Sequence, residues 1–537
     1  MSLASLRVRN GLVALALAAA GPLAAQAPAS SPAPVAPPAP VIREILILPD
    51  NIFDSTELYS PIYRGMNKLH FTTKPYVVRQ QLLFAVGQRW DSTLVNETAR
   101  NLRSLSIFTS VVIDSIPTDS GVIARVRTRD AWAFGIVFSI NTSGSQVGYA
   151  FGFNDRNVLG SGTQLQFQYG QNPTRDSVLV GVTRRMLFGS NYDLGVLLSR
   201  LSDGNNDTVS FGLPFRTIES PKGWTLAAKV NNGRILQFYG GDPVAGDTLR
   251  RAFQLVSLNP AVAIHSTDER YVRLGLYAQV ERNDFQPYDL PASDMSKTYT
   301  AAFGPYLALG HPKFHHIEFY QAGGRVEDLQ LGYTATLGLY FTPAGWGYGA
   351  NGLAPSISLS AGQGTPHGFL LETLSASSVF NTNGLDSGSV NAGVTAAWFP
   401  SARQLLIAYA GVGAQKNGYP GEEYELGFGY AVRAYPQYAY TGNRMFITAA
   451  EYRVIIWPDI YKLVAAGFGV FVDHAGAWYT GSPQRTGTDV GAGLRFGSRK
   501  GTGAILMRAD IAYRWANDVV PAGWVFTFGK GFVWQQF

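Results

Sequence analysis

The sequence predicts a mainly β fold: a transmembrane antiparallel β-barrel of about sixteen strands, preceded by a small α+β domain of order β-α-α-β-β. Three observations predict it. The 537-residue chain is 46% hydrophobic and 13% aromatic but only 15% charged, where about 25% charge is usual for a soluble domain. It holds 59 glycines among 537 residues, about 11% against the ~7% of an average chain. From about Trp132 onward, apolar residues alternate with uncharged polar ones at period two. A barrel with one face in lipid and the other in water has this composition.

The composition also excludes classes. With no Cys, a disulfide framework, a thiolate metal site and a Cys nucleophile are all ruled out. The aromatic content argues against a disordered chain. Residues 1–27 read as a signal peptide: Arg7 and Arg9, then an apolar stretch Gly11–Ala20 too short to span a bilayer, then small residues with cleavage after Ala25 or Ala27. The alternative is a short membrane anchor. Removing 1–27 takes two arginines and no acid, so the formal net charge falls from +6 by two to +4, which does not suggest nucleic-acid binding. Residues 28–40 are Pro/Ala/Ser-rich and read as an extended linker. The best later apolar run, Leu463–Val472, is ten residues long, too short for a membrane helix.

Residues 41–130 form a separate unit. Val41–Leu48 reads as a strand. Lys74–Phe84 has helical spacing, with Pro75 suited to a first turn. Asp91 caps a second helix whose apolar stripe is Leu94, Val95, Ala99, Leu102 and Leu105. Ile107–Ile113 and Gly121–Thr128 read as strands joined by a turn at Pro117–Ser120. The stretch from Pro49 to Thr72 receives no assignment. The second helix and the run Leu105–Val111 (LSIFTSV) resemble the polypeptide-transport-associated (POTRA) domain.

In the barrel, residues 131–537, Leu165, Phe167 and Tyr169 share one face while Gln164, Gln166 and Gln168 share the other. Val272, Leu274, Leu276, Ala278 and Val280 alternate with Arg273, Gly275, Tyr277, Gln279 and Glu281. In the last third, Ile505 to Trp515 alternates with Leu506 to Arg514. A soluble sandwich or propeller strand alternates too, so the pattern by itself does not separate the two. The signal peptide, strand length and aromatics favour the membrane form. A pass along the chain finds roughly 18 to 20 candidate strands. Both barrel ends belong on one side of the membrane, so the number should be even.

Three motifs carry a family resemblance. Asn157, Leu159, Gly160 and Gly162 in NVLGSG form a tight turn whose glycines permit positive φ. Val432, Arg433, Ala434 and Tyr435 lie in a long loop between strands ending near Gly413 and starting near Arg444. Phe471-Val472-Asp473, followed by Gly476, lies on a later strand, and the strand between carries Glu451 and Arg453. Together these are similar to the BamA/TamA superfamily of outer-membrane assembly and secretion proteins. The resemblance implies that the loop folds into the barrel lumen and that Arg433 pairs with lumen acids, Asp473 and Glu451 among them. Ala434 stands where that family usually has Gly. A last strand of about Trp524–Phe537, with Gly529, Gly531, Phe532, Trp534 and the terminal Phe537, is the expected seam and C-terminal signal.

No metal or cofactor site is expected. The only metal-like spacing, His311, His315 and His316, lies in an expected turn. There is no Walker loop, no HExxH and no convincing nucleophile elbow. The expectation is therefore a non-enzymatic protein of the bacterial outer membrane with its N-terminal domain in the periplasm. It would assist insertion or translocation of unfolded polypeptides, with the lipid bilayer and periplasmic chaperones or lipoproteins as further partners and no nucleic acid. The alternatives are a passive transporter or pore gated by the lumen loop, and a hydrolytic barrel.

Overall fold

The structure is a computed structural model that describes residues 39–143, 146–172, 175–324, 326–501, 506–532 and 534. The expected signal peptide, the linker up to residue 38, and Phe537 lie outside the described residues.

The N-terminal unit contains β1 (Ile42–Asp50), α1 (Pro61–Leu69), α2 (Pro75–Arg79), α3 (Ser92–Ser104), β2 (Phe108–Thr118) and β3 (Gly121–Asp130). Its sheet has the order β1-β3-β2, with β3 parallel to β1 and antiparallel to β2. The Asp91 carboxylate caps α3 by accepting from the Thr93 and Leu94 amides. Ile42, Val78, Leu102, Ile107 and Val126 fill the core between helices and sheet. The helix expected over Lys74–Phe84 is only α2. Beyond it, the Leu83 amide donates to the Thr98 hydroxyl of α3 at 3.2 Å rather than to a helical carbonyl.

The unassigned stretch 49–72 folds into a 3-10 turn at Ser55–Glu57, with a capping box between Asp54 and Glu57, and then α1, capped by Ser60 with Pro61 in its first turn. Ile52, Phe53 and Tyr63 make a second small core, with Phe53 stacked on Tyr63 at 4.4 Å between ring centres. This helix is only nine residues long and carries Gly65 and Asn67, both poor helix formers.

The rest of the chain closes into an antiparallel barrel. Two segments, Asp242–Leu258 and Ala261–Ser266, pair with the same two neighbours and form one stave interrupted at Asn259 and Pro260. Proline has no amide to give to the ladder, so the interruption falls there. Counted that way, the described residues make about 20 staves, not sixteen. Sixteen strands would require long connections throughout, whereas many hairpins here turn in two to four residues, as between Leu201 and Gly204 or Asn381 and Gly384. The first stave is Phe134–Ser143 and the last is Gly523–Lys530.

The alternation sorts the side chains. Along the Val464–Trp478 stave, Ala465, Phe471, Asp473, Ala475 and Ala477 are buried, while Phe468, Val470 and Val472 are exposed. Leu274, Leu276 and Val280 on one stave and Val390, Val394 and Trp398 on another are likewise exposed. The exterior is thus an apolar surface, and the polar and charged side chains turn inward.

Aromatic clusters mark both ends of this surface. Towards the end where the N-terminal unit sits are Phe134–Phe153–Phe167, Tyr192–Phe211–Trp224 and Trp457–Phe468. Towards the opposite end are Tyr149–Tyr169, Phe446–Trp478, Phe303–Trp346 and Tyr513–Trp524.

The N-terminal unit lies across one mouth of the barrel. Arg103 donates two hydrogen bonds to Asp328, at 2.7 and 2.9 Å. Lys462 pairs with Glu57 at 3.0 Å, and the Tyr63 hydroxyl donates to the Tyr461 carbonyl at 2.7 Å.

Candidate functional site

The site is built where four consecutive staves face one loop. The staves are Arg444–Ile460, Val464–Trp478, Thr486–Ser498 and Met507–Arg514. Their inward positions carry Glu451, Arg453, Asp473, Asp489, Arg495, Arg508 and Asp510. The loop is residues 417–443, entering from the mouth opposite the N-terminal unit. Its arms pair as a short hairpin, Tyr424–Leu426 against Tyr440–Gly442, which carries its tip down the lumen. Ala431, Val432, Ala434, Tyr435, Ala439 and Tyr440 are buried there.

Arg433 at the tip is fully buried. Its Nε donates to Asp473 Oδ2 at 2.6 Å and its Nη2 to Asp473 Oδ1 at 3.2 Å, a two-pronged fork. Its Nη1 reaches Asp510 at 3.1 Å and Glu451 at 3.5 Å. The guanidinium also lies 3.4 Å from the Phe471 ring centre, with the ring as a flat neighbour.

The acids are shared further. Glu451 accepts from Arg453 at 2.8 Å and Arg495 at 2.7 Å. Asp510 accepts from Arg495 at 2.5 Å and Arg508 at 3.1 Å. Four arginines thus share three carboxylates, with Asp489 opposite Asp473 as a fourth acid outside the ion pairs, each of the eight no more than 2% exposed. Charges taken this far from water are tolerated only when paired and hydrogen-bonded.

Register places these groups side by side. Ala449 pairs with Asp473 and Asp473 with Asp489. Arg495 pairs with Arg508, and Gly493 with Asp510. Glycine supplies the room. A Cβ at Gly469 would lie 2.9 Å from Arg495 Nε, and one at Gly529 would lie 2.7 Å from Arg508 Nη2. The glycine-rich wall lets long side chains lie flat against the sheet.

Ala434 in place of the expected glycine is accommodated simply. Around this tip positive φ falls on Gly427, Gly429, Ala431 (84°) and Tyr438, and Ala434 is not among the left-handed residues. Its amide donates to Asp489 at 3.1 Å, and its carbonyl accepts from Arg514 at 3.0 Å. The Tyr435 hydroxyl donates towards the Thr488 and Trp515 carbonyls at 2.9 Å and accepts from the Thr488 amide at 3.0 Å.

The NVLGSG turn has a different setting, against the N-terminal unit. Asn157 is buried and its Nδ2 donates to the Thr73 hydroxyl at 2.7 Å, while its Oδ1 accepts from the Gly162 amide at 2.7 Å. The Lys74 amide donates to the Gly160 carbonyl at 2.9 Å. Gly160 and Gly162 have φ of 69° and 72°. A Cβ at Gly160 would overlap the Thr72 carbonyl, so glycine is needed there for close approach as well as for φ. Leu159 projects outward. Behind the clasp, Asp130 accepts from the Thr73 amide at 2.7 Å and contacts His70 Nε2 at 2.8 Å.

The C-terminal residues depart from the expected seam strand. The last stave stops at Lys530. Gly531 follows with φ 57°, its amide donating to the Leu506 carbonyl at 2.8 Å. Phe532 and Trp534 then turn into the lumen. Phe532 packs beside Tyr320 and under Arg453, whose guanidinium lies 4.5 Å from its ring centre; Trp534 stacks on Tyr409 at 5.7 Å. Gly529 remains within the stave, cradling Arg508.

Asp489, Arg495, Arg508 and Asp510 were not singled out from the sequence as site residues. A usable signal was there: Asp489-x-Gly-x-Gly-x-Arg495 and Arg508-x-Asp510 place charges two or six apart, on one face of a strand. No group of three or more His, Cys, Asp or Glu that could hold a metal occurs among the described residues.

No protein-family model matches the sequence, and no curated protein matches it. Among solved structures, the chain is similar to BamA from Haemophilus ducreyi lacking POTRA domains 1–3, with 12% identity, 91% of this chain and 84% of that chain covered, and a TM-score of 0.36. It is similar to CdiB from Acinetobacter baumannii, with 12% identity, 91% and 73% covered, and a TM-score of 0.43. It is also similar to CdiB from Escherichia coli, with 10% identity, 91% and 76% covered, and a TM-score of 0.46.

Proposed function

We propose that this protein is an outer-membrane barrel that assists the insertion or translocation of polypeptides, by offering a sheet edge below the membrane and opening between its first and last staves. The N-terminal unit is read as POTRA-like and periplasmic. Membrane residence is supported by the apolar exterior bounded by aromatic clusters at both ends, the arrangement of a lipid-facing band between two interfaces.

The observation that carries the opening mechanism is the contrast across the seam. The staves Arg444–Arg514 are locked together by the buried charge cluster. The last stave, Gly523–Lys530, is as short as its neighbour Met507–Arg514. Unlike that neighbour it contributes no side chain to the charge cluster, so the seam lacks the ion pairs that tie the other short ladders together. Among the described residues, Phe532 and Trp534 turn inward and do not extend the last stave.

Delivery follows from connectivity. β1 and β2 are the sheet's two edges, and an edge binds extended chain through main-chain hydrogen bonds with little regard to sequence. β3 leads through residues 131–133 into the first stave. No nucleotide is required if client folding itself runs downhill. Cysteines introduced opposite each other on the first and last staves test this. Oxidation should abolish rescue of a depleted strain and reduction should restore it; rescue by the locked form rejects lateral opening.

A pore is the second reading, favoured by two lumen spaces of about 390 Å³ each. One is lined by residues such as Gln164, Gln166 and Thr183, the other by Ser356, Ser377 and Ser389. Planar-bilayer recording separates the two. A large steady conductance with an unchanged outer-membrane proteome after depletion supports the pore.

A further inference from the structure

Pro61–Arg79 contains Arg64, Lys68, Lys74 and Arg79 and no acid. None of the four is in an ion pair among the described residues. The same stretch exposes apolar side chains. On α1, Ile62 and Leu69 are seven residues apart and so lie on one face of the helix. They are 63% and 74% exposed, and Phe71 just beyond the helix is 60% exposed. Gly65, between them along the helix, opens onto free space. The opposite side of α1 is engaged: Tyr63 is buried and Asn67 holds the Phe53 backbone.

The fold places this stretch under the seam. On one side, Tyr63 meets the turn at Tyr461, and Lys500 donates to the Ile52 carbonyl at 3.3 Å. On the other, Thr72–Lys74 grips the turn at Gly160. These turns flank the first and last staves, so α1 and its C-terminal flank cross beneath the join.

Exposed apolar side chains of the barrel's rim flank the turns that this stretch grips. Exposed Trp457 and Phe468 lie on the staves that Tyr461 connects, and Tyr461 is itself exposed. Tyr59 touches Tyr63 at 5.5 Å. Beyond Phe71, exposed Leu159 adjoins Gly160, and exposed Phe188 tips the next turn on that side.

We propose that α1 and its flanks are a membrane-surface anchor. Ile62, Leu69 and Phe71 embed in the headgroup–acyl boundary of the leaflet on the N-terminal unit's side, with Leu159 and Phe188. Arg64, Lys68, Lys74 and Arg79 sit over anionic lipid headgroups. Apolar residues on one face with unpaired cations beside them suit this interface. The anchor fixes the small domain at the rim of the seam. It rests on the reading of the barrel as membrane-spanning.

The chain has no native Cys, so single labels report cleanly. Full-length Ile62→Cys, Leu69→Cys and Phe71→Cys, each carrying an environment-sensitive fluorophore, are reconstituted in phosphatidylcholine vesicles with or without phosphatidylglycerol. Spin-labelled lipids serve as quenchers. Val394→Cys, outward on a stave, and Leu48→Cys, on β1, are comparators.

The expected result is blue-shifted emission and quenching by a shallow lipid quencher at all three anchor positions, but not at Leu48. Phosphatidylglycerol should strengthen the quenching, and Arg64→Gln with Lys68→Gln should weaken it. Quenching at Val394 without quenching at the anchor positions overturns the anchor and leaves the barrel reading intact. Quenching at neither overturns both. Quenching at the anchor positions but not at Val394 supports lipid contact and overturns the spanning barrel. Quenching that ignores both lipid charge and the glutamine substitutions rejects the role given to the cations.

Discussion

Arg433 concentrates three acids on one guanidinium. Removing it leaves Asp473, Glu451 and Asp510 with an unmatched buried charge, a loss of about 3–5 kcal/mol for a broken buried pair. Arg433→Met should therefore release the loop tip, seen as faster amide exchange over Tyr424–Gly442. Adding Asp473→Asn should recover part of the loss, because the stranded charge goes with its partner. If the double variant is no better than the single one, the pair is not what holds the loop. Gly469 tests the wall. Gly469→Ala places a methyl against a guanidinium locked by Glu451 and Asp510, and overpacking of this kind costs about 1–3 kcal/mol. Its thermal midpoint should fall, whereas an alanine at Gly65, which opens onto free space, should leave it unchanged. Arg433 and Asp473 were legible from motifs. The glycines' role was not, because whether an inward glycine is merely small or is filled by a neighbour's guanidinium depends on cross-strand register.

At the scale of elements, two segments fill the lumen from opposite ends. The loop 417–443 enters from one mouth, while the C-terminal residues enter from the other and meet Arg453 through Phe532. The Tyr320 segment meets them, giving its carbonyl to Arg453 at 3.0 Å. Aromatic side chains here bury large apolar areas, so truncation should free the tail. Phe532→Ala, a loss of about 3–5 kcal/mol at a well-packed aromatic, should make the C-terminus sensitive to carboxypeptidase in the reconstituted protein. An unchanged digestion rate would mean that the inturned tail is held by something other than this ring. The terminal aromatics were visible in the sequence, but their direction was not: the turn at Gly531 rotates them from the sheet into the lumen, and glycine permits that φ without dictating it.

For the molecule as a whole, the joint between domain and barrel sets what moves. Burial pushes the Glu97 carboxyl of α3 above the ordinary glutamate range, while the Ile218 amide donating at 3.2 Å and nearby Arg100 oppose the shift. A carboxyl raised in the docked form favours docking when protonated. Its contribution is present at and below the ordinary glutamate range and is lost as pH rises through the raised value. Docking should therefore tighten on mild acidification, and Glu97→Gln should tighten it at neutral pH and flatten the dependence. Cross-linking yield between α3 and the turn at Ile218, followed against pH, reads this directly. A yield that falls on acidification would reverse the assignment. The clasp at Asn157 is made by an amide side chain, a hydroxyl and backbone groups. Asn157→Ala strands the Gly162 amide and removes the bond that the Thr73 hydroxyl accepts, leaving the one it donates to Asp130; at about 1–3 kcal/mol for a group left unsatisfied, it should raise protease cleavage between the two units.

The sequence by itself determined a mainly β fold, because a period of two over hundreds of residues calls for strands, while closure into a barrel was settled by which strands pair. Its resemblance to known motifs also marked the lumen loop through Arg433 and the acid at Asp473, while the glycine turn at Gly160 follows from the backbone angle it needs. Only the tertiary structure decided the number of staves, the inward course of Phe532 and Trp534, and the eight-membered charge cluster. It also revealed α1 in a stretch that receives no assignment from the sequence. These depend on register, closure and contact between segments hundreds of residues apart, where the energy of a side chain is set by what faces it and not by its neighbours in sequence.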